Sequence, residues 1–313
     1  MYILGFDIGG TKCAVIVGEA KGDSLRILRR EACPTDLTIS PEGMLERLCH
    51  MADGLMGDQR PEAIGISCGG PLNSKAGLIL GPPNLTGWDH VPICEMLQKR
   101  YGLPARLHND ANACAIAEWK FGAGRSCRHM IFLTFGTGFG AGLILNGQLY
   151  SGAGDMAGEV GHIRIAETGP VGFGKAGSLE GFCSGGGIAR LGVQMAEEAL
   201  AKGVRPAYWK NGQKISAKSI AEAAYAGDQT AIDVYRVSGR HLGRGLAMLI
   251  DAFAPERIII GSVFARSGDL LIPEMEKAIA EEALYINAGL CEILPAALGD
   301  DLGDYAALAA ALL

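Results

Sequence analysis

The stretch GFDIGGTKCAVIVGEA, residues 5 to 20, sets an aspartate, two adjacent glycines, a threonine and a lysine between the apolar runs YILGF and CAVIVGEA. Two such runs about a short polar turn predict a β-hairpin. Glycine lets backbone N–H groups approach an anion closely, so the turn is either a phosphate cradle or a plain link between strands. A second stretch, MIFLTFGTGFGAGLILNGQLY at residues 130 to 150, repeats the design of apolar strand, glycine turn and apolar strand. This internal echo predicts two lobes of similar plan, each offering a glycine hairpin, with one nucleotide held between them.

The common phosphate loops do not fit. GTGFGAG, residues 136 to 142, lacks the spacing G-x-G-x-x-G and runs into the strand-like LILNGQL, where a dinucleotide site requires a helix. No G-x-x-x-x-G-K-[ST] sequence is present either. The pattern that remains is backbone N–H groups with the Thr11 and Thr137 hydroxyls around the β- and γ-phosphates of a nucleotide. Asp7, at the first turn, is placed to orient magnesium through water, as a hard cation that keeps its hydration prefers. Lys12 either touches phosphate or is a solvated strand residue.

At 313 residues the chain exceeds the size of a single hydrophobic core, and its apolar share of 49% supplies ample material for two. A net charge of −6 argues against a nucleic-acid surface, which needs a basic face. The nine cysteines never fall as C-x-C or C-x-x-C, which fits reduced thiols of a cytoplasmic protein better than a disulfide framework. Asp7 comes too early for a secretory leader, and no apolar run is long enough to span a bilayer. Further along, LRILRREA and AIGISCGG read as strands, PEGMLERLCHMADGLM as a helix, and PLNSKAGLILGPPNLTGW as loop, short strand and loop. Helices are expected at residues 187–203, 216–228, 229–253, about 268–283 and 304–313, with strands at RIIIGSVF and CEILPA. The whole is an α/β pattern.

In HNDANACAIAE, residues 108 to 118, Asn109 and Asp110 stand at the carboxyl end of a strand, where open α/β sheets bind ligands. Asn109 or Asp110 caps the helix that follows, and Asp110 has a second reading as the group that accepts a proton from a hydroxyl as that oxygen attacks phosphorus. GEVGHIRI offers Glu159 and His162 three residues apart, and SLEGFCSG offers Glu180. Carboxylates and an imidazole in glycine-rich loops suit the hydroxyls of a sugar. Each also has a bland reading, a packed histidine or a solvated glutamate. Asn84, in GPPNLTGW, is either a turn residue or a hydroxyl partner.

Together these pieces resemble the ROK family (repressor, open reading frame, kinase), whose fold is two-lobed and actin-like (ribonuclease H-like), with mixed sheets and an interlobe cleft. The resemblance rests on DIGGTK at 7 to 12, HNDANACAIAE, LTFGTGFGAG at 133 to 142, GEVGH at 158 to 162 and LEGFCSG at 179 to 185. IIIGSVF at 258 to 264 is similar to the family's adenosine-contacting segment, and LGDDLGDYAALAAAL to its terminal hinge helix. The resemblance implies Asp110 as catalytic base and Asn84, Asn109, Glu159, His162 and Glu180 as sugar partners. It implies Gly9, Gly10, Thr11, Thr137 and Gly138 around the phosphates of ATP, with Gly261 and Ser262 near adenosine. The lobes it implies are residues 1–118, joined by a C-terminal helix at 300–313, and residues 119–299, the larger lobe mediating assembly into a homodimer or homotetramer.

Two departures stand out. Many members follow the GH motif with C-x-C-G-x-x-G-C-L-E, whose cysteines join the histidine around structural zinc. Here Val171, Phe173 and Ser178 stand at those cysteine positions, so no zinc is expected and His162 is left for a sugar hydroxyl or a structural hydrogen bond. Ser262 also replaces a second glycine usual in the adenosine segment. The expected activity is glucokinase-like: ATP and Mg2+ with a small-molecule hexose phosphorylated at O6. N-acetylmannosamine, N-acetylglucosamine, fructose and allose are alternative substrates. A sugar-sensing regulator is a rival, though the family's repressors carry a helix-turn-helix ahead of the first glycine turn. An actin-like ATPase or a kinase for a non-sugar acid is another, but gives Glu159, His162 and Glu180 no joint role.

Overall fold

In the computed structural model, which describes residues 1–210 and 212–313, the opening stretch is the predicted hairpin. β1 (Tyr2–Ile8) pairs antiparallel with β2 (Lys12–Lys21), from Tyr2 opposite Glu19 to Ile8 opposite Cys13. β3 (Ser24–Pro34) pairs antiparallel with β2. α1 (Pro41–Met56) starts behind Ser40, whose hydroxyl oxygen accepts the Gly43 N–H at 3.2 Å, with proline at the first helical position where its missing donor costs nothing. The chain returns through β4 (Ala63–Cys68), parallel to β1. β5 (Leu72–Asn73) and β6 (Leu78–Ile79) form a small hairpin where one short strand was expected. α2 (Ile93–Tyr101) follows unheralded, because only Ile93, Cys94 and Leu97 of its residues are buried and the periodic signal is thin. β7 (Ala105–Asn109), parallel to β4, completes a mixed sheet of order β3-β2-β1-β4-β7.

After α3 (Asp110–Phe121) the second echo appears as β8 (Met130–Phe135), β9 (Phe139–Leu145) and β10 (Gln148–Tyr150). A small hairpin, β11 (Val171–Gly172) and β12 (Lys175–Ala176), precedes α4 (Leu179–Cys183), α5 (Gly185–Ala201), α6 (Ala217–Tyr225) and α7 (Gln229–Phe253). β13 (Arg257–Ile260) then leads to α8 (Val263–Glu282), α9 (Tyr285–Ala288), β14 (Glu292–Pro295) and α10 (Leu302–Ala309). The strand expected through Phe264 stops at Ile260, because Ser262 takes a positive φ of 55° and Val263 already begins the helix, some five residues before the expected start. The second mixed sheet runs β10-β9-β8-β13-β14. Counted within each sheet, both orders are third, second, first, fourth, fifth, so the repeated glycine hairpin reflects a repeated topology.

The first sheet is covered on both faces, which explains why its strands read as continuous apolar runs. Leu4, Phe6, Ile8, Val15 and Val17 pack with Met44, Leu45 and Leu48 of α1. Ile3, Ala14 and Ile16 face Ala307, Leu308 and Ala311 at the C-terminus. That helix is alanine-rich because it lies almost on the strands: a side-chain carbon on Gly65 would run into the Ala307 carbonyl. By compactness the chain divides into residues 1–128, 142–158 and 297–313, and residues 129–141 and 159–296. The first unit therefore reaches beyond residue 118, where the sequence placed its limit. Glu118, wholly buried, accepts the N–H groups of Ala123 at 2.8 Å and Leu298 at 2.9 Å and so ties the loop after α3 and the C-terminal segment to that helix. Among the described residues no helix is long and apolar enough to cross a membrane.

Candidate functional site

In the first unit the Gly9 N–H donates to the Lys12 carbonyl at 3.2 Å and closes the first glycine turn. Thr35 clamps it from β3's end, its hydroxyl donating to the Gly9 carbonyl at 2.6 Å and its N–H to the Thr11 carbonyl at 3.0 Å. A side chain at Gly10 would collide with the main-chain carbonyl of Asn84, so glycine there is required by close approach. The structure thus brings Asn84, expected on a sugar, against the turn expected on phosphates. Thr11 and Lys12 are exposed at its tip.

Asp7 lies at the end of β1 beside this turn. Burial first, then the charges of Asp304 and Asp110, push its pKa up to about 7, with Lys12 and Arg30 opposing. Sequence reasoning missed Asp304 and Arg30. Arg30 Nε donates to Asp304 Oδ2 at 2.7 Å, joining β3 to α10 across 274 residues of sequence, a pairing no local pattern signals. Burial also raises the Asp304 pKa, against the pull of Arg30. A carboxylate cluster that holds protons this tightly is short of positive charge, and its hard oxygen donors fit a hydrated magnesium ion. No three His, Cys, Asp or Glu side chains among the described residues gather around one metal position.

Asn109 and Asp110 divide the roles that the sequence left open. Asn109 is the cap of α3: its Oδ1 accepts the Asn112 N–H at 2.7 Å. Asp110 is the first helical residue, its Oδ1 accepting the Ala111 N–H at 2.8 Å. Asp110 keeps accessible surface, yet the protein crowded about its carboxyl raises its pKa, against the lowering by the Ala111 and Asp110 amides. The result is an accessible carboxylate with raised basicity, fixed at a helix N-terminus. His108, one strand residue earlier on, is a different matter: burial pushes its pKa down to about 4, which leaves it neutral near pH 7.

In the second unit the 136–138 turn closes by a Gly136 N–H to the Gly138 carbonyl at 3.1 Å. The Gly185 N–H, at the start of α5, donates to the Gly136 carbonyl at 2.7 Å. Glu180, on α4 behind the cap Ser178, accepts the Phe139 N–H on Oε2 at 3.1 Å, so this expected sugar partner is braced on the second glycine turn. Gly161 also packs there, since a side-chain carbon on it would strike the Phe139 carbonyl and come within 3.3 Å of Glu180 Cβ. A 3-10 turn over Val160–His162, with the His162 N–H on the Glu159 carbonyl at 3.1 Å, leaves both Glu159 and His162 exposed beside Glu180. Gly261 is anchored by its N–H to the Leu133 carbonyl at 3.0 Å. The Ser262 hydroxyl is 3.8 Å from where a side-chain carbon on Gly136 would stand, so the adenosine-like segment adjoins the same turn, with Thr137 exposed.

A model of the family described as ROK matches residues 3–312. A glucokinase of Streptomyces coelicolor is 33% identical over 304 residues, covering 96% of this chain and 94% of the relative. A xylose repressor of Caldicellulosiruptor bescii is 29% identical over 289 residues, covering 90% of this chain and 70% of the relative. The crystal structure of a ROK family glucokinase from Streptomyces griseus, in complex with glucose and AMPPNP, superposes with a TM-score of 0.81 at 32% identity, covering 100% of this chain and 99% of that one.

Proposed function

We propose that this chain, which belongs to the ROK family, transfers the γ-phosphoryl group of ATP to the O6 hydroxyl of a hexose, glucose being the first candidate, with Asp110 as general base. The enzyme class, an ATP-dependent sugar kinase of the glucokinase type, follows from the relatives. The observation that carries the finer reading is Asp110 itself. Asn109 does the capping, and Asp110, with Oδ1 on the Ala111 N–H and surface still accessible, has a carboxyl that the surrounding protein makes a better proton acceptor than an ordinary aspartate.

In this reading the sugar hydroxyl gives its proton to Asp110 as its oxygen bonds to the γ-phosphorus, and the bond from that phosphorus to the β-bridging oxygen breaks. ADP leaves, and Asp110 returns its proton to solvent. Asn84, Asn109, Glu159, His162 and Glu180 are the residues read as partners of sugar hydroxyls; groups poised for hydroxyls reject analogues that lack them. Backbone N–H groups of Gly10 and Gly138, with the hydroxyls of Thr11 and Thr137 and the Lys12 ammonium, bind phosphate oxygens; Gly9, its own N–H on the Lys12 carbonyl, shapes the turn around them, and Gly261 and Ser262 line the adenosine end. Asp7 would hold a water of a magnesium ion that arrives with ATP, and that ion would offset negative charge on the phosphates. The apolar side chains of Leu284, Tyr285, Ile286 and Leu290, each more than half exposed, support assembly into a homo-oligomer. The reading places the enzyme in the cytoplasm, where ATP is supplied.

A panel of glucose, N-acetylmannosamine, N-acetylglucosamine, fructose and allose with ATP and magnesium, read by coupled ADP release, tests it. Sugar-dependent ADP release with glucose preferred is the expected result. Sugar-independent ADP release would favour an ATPase, and tight sugar binding without turnover a sensor of the repressor kind.

A further inference from the structure

The segment from Glu159 to Ser184 contains the departure from the zinc pattern, and its donor set does not fit zinc. Val171 and Phe173 carry no metal-binding atom. Ser178 is wholly buried, with its hydroxyl committed: it accepts the Gly181 N–H at 3.2 Å as the cap of α4 and donates to the Gly172 carbonyl at 3.4 Å. The chain instead closes on itself. β11 and β12 pair with Gly172 opposite Lys175, so Phe173 and Gly174 form a two-residue turn. Their φ angles, +41° and +75°, are both positive, the signature of a type I′ turn.

Such turns take asparagine or glycine first, because a bulky side chain at positive φ meets its own backbone. Phe173 is therefore an outlier, and packing in the core does not account for it, since the residue is 73% exposed. What it does meet is His162. The two rings stand edge to face, centroids 6.4 Å apart and planes at 76°, a geometry that the aromatic quadrupole favours. From the other side of the same turn, Lys175 Nζ donates to the His162 carbonyl at 2.8 Å. Both ends of the turn thus converge on one residue, one on its ring and one on its backbone.

We propose that Phe173 is a positioning residue: its ring fixes the orientation of the His162 imidazole toward a sugar hydroxyl, in place of the zinc ion that holds the matching histidine in members with the C-x-C pattern. The proposal rests on the reading of His162 as a sugar partner. A strained residue at an exposed turn persists only where something else selects it, and here the selected property is a ring beside the imidazole. Phe173→Tyr keeps the ring; Phe173→Asn removes it while supplying the residue that the turn prefers, so loss of folding does not confuse the result.

The experiment compares both variants and His162→Gln with the parent enzyme by steady-state kinetics, thermal melting and ring proton–carbon NMR of His162 without ligands. Phe173→Asn should melt no lower than the parent, raise the sugar KM by about threefold to tenfold with the ATP KM unchanged, and shift the His162 ring signals. Phe173→Tyr should restore all three. A parental sugar KM in Phe173→Asn, or His162 ring signals that do not move, would overturn the proposal. So would stoichiometric zinc in the purified enzyme whose removal moves those signals. If His162→Gln keeps the parental sugar KM while Phe173→Asn still shifts the ring signals, the sugar role of His162 fails and the ring contact alone survives, which overturns the proposed purpose of the contact.

Discussion

Replacing Asp7 by asparagine removes an ionisation from the carboxylate cluster while keeping the side chain's shape. Burial and the charges of Asp304 and Asp110 hold the native pKa at about 7, against 3.8 for an ordinary aspartate. A carboxyl that keeps its proton more tightly when folded contributes stability that is complete below the unfolded pKa and is lost as pH climbs through the folded one. The span from 3.8 to about 7, at about 1.4 kcal/mol per unit, sets an upper bound near 4 kcal/mol on that loss. Asparagine undergoes no such loss. In buffer free of nucleotide and magnesium, Asp7→Asn should gain stability on the parent steadily from about pH 5 to about pH 7.5 and hold its lead above that. Urea midpoints followed by circular dichroism across that range read the difference. A lead that does not depend on pH, or one that narrows as pH rises, would refute the reasoning. Under the proposed role of Asp7 toward magnesium, the same variant should also lose ATP-dependent turnover.

Two further perturbations test the framework. Glu118→Ala leaves the N–H groups of Ala123 and Leu298 without their buried acceptor and should cost about 3 kcal/mol, seen as a lower melting temperature; an unchanged melt would show that these bonds do not anchor the C-terminal segment. Ser262→Gly relieves a backbone φ of +55° and should raise stability by up to about 1 kcal/mol, whereas a lower melting temperature would mean that the serine side chain contributes more than its conformation costs.

Much of the local structure of the candidate site was legible because it is built from short local signals. The turns at 9–12 and 136–138 announce themselves through glycines between apolar runs, and the strand-to-helix junction at Asn109 and Asp110 through its cap. Which of those two residues caps was not legible, since aspartate and asparagine serve equally well there and only the Asn109 to Asn112 bond decides it. The Arg30 and Asp304 pair was hidden by its separation in sequence, and with it the neighbouring charge that most opposes ionisation of Asp7. The end of β13 was misjudged because IIIGSVF is apolar throughout, and hydropathy does not report that Ser262 turns to a positive φ and starts a helix. Phe173 could have been flagged from sequence only as a missing cysteine; its turn and its contact with His162 needed coordinates.

The account depends above all on a carboxylate that takes a proton from the attacking hydroxyl. Asp110→Asn keeps the size and the hydrogen-bonding reach of the side chain but removes its basicity. Single-turnover phosphorylation of glucose by this variant, alongside calorimetric binding of glucose, is the most direct measurement. The rate should fall by at least about a hundredfold with sugar affinity little changed. Phosphoryl transfer at the parental rate would contradict the account.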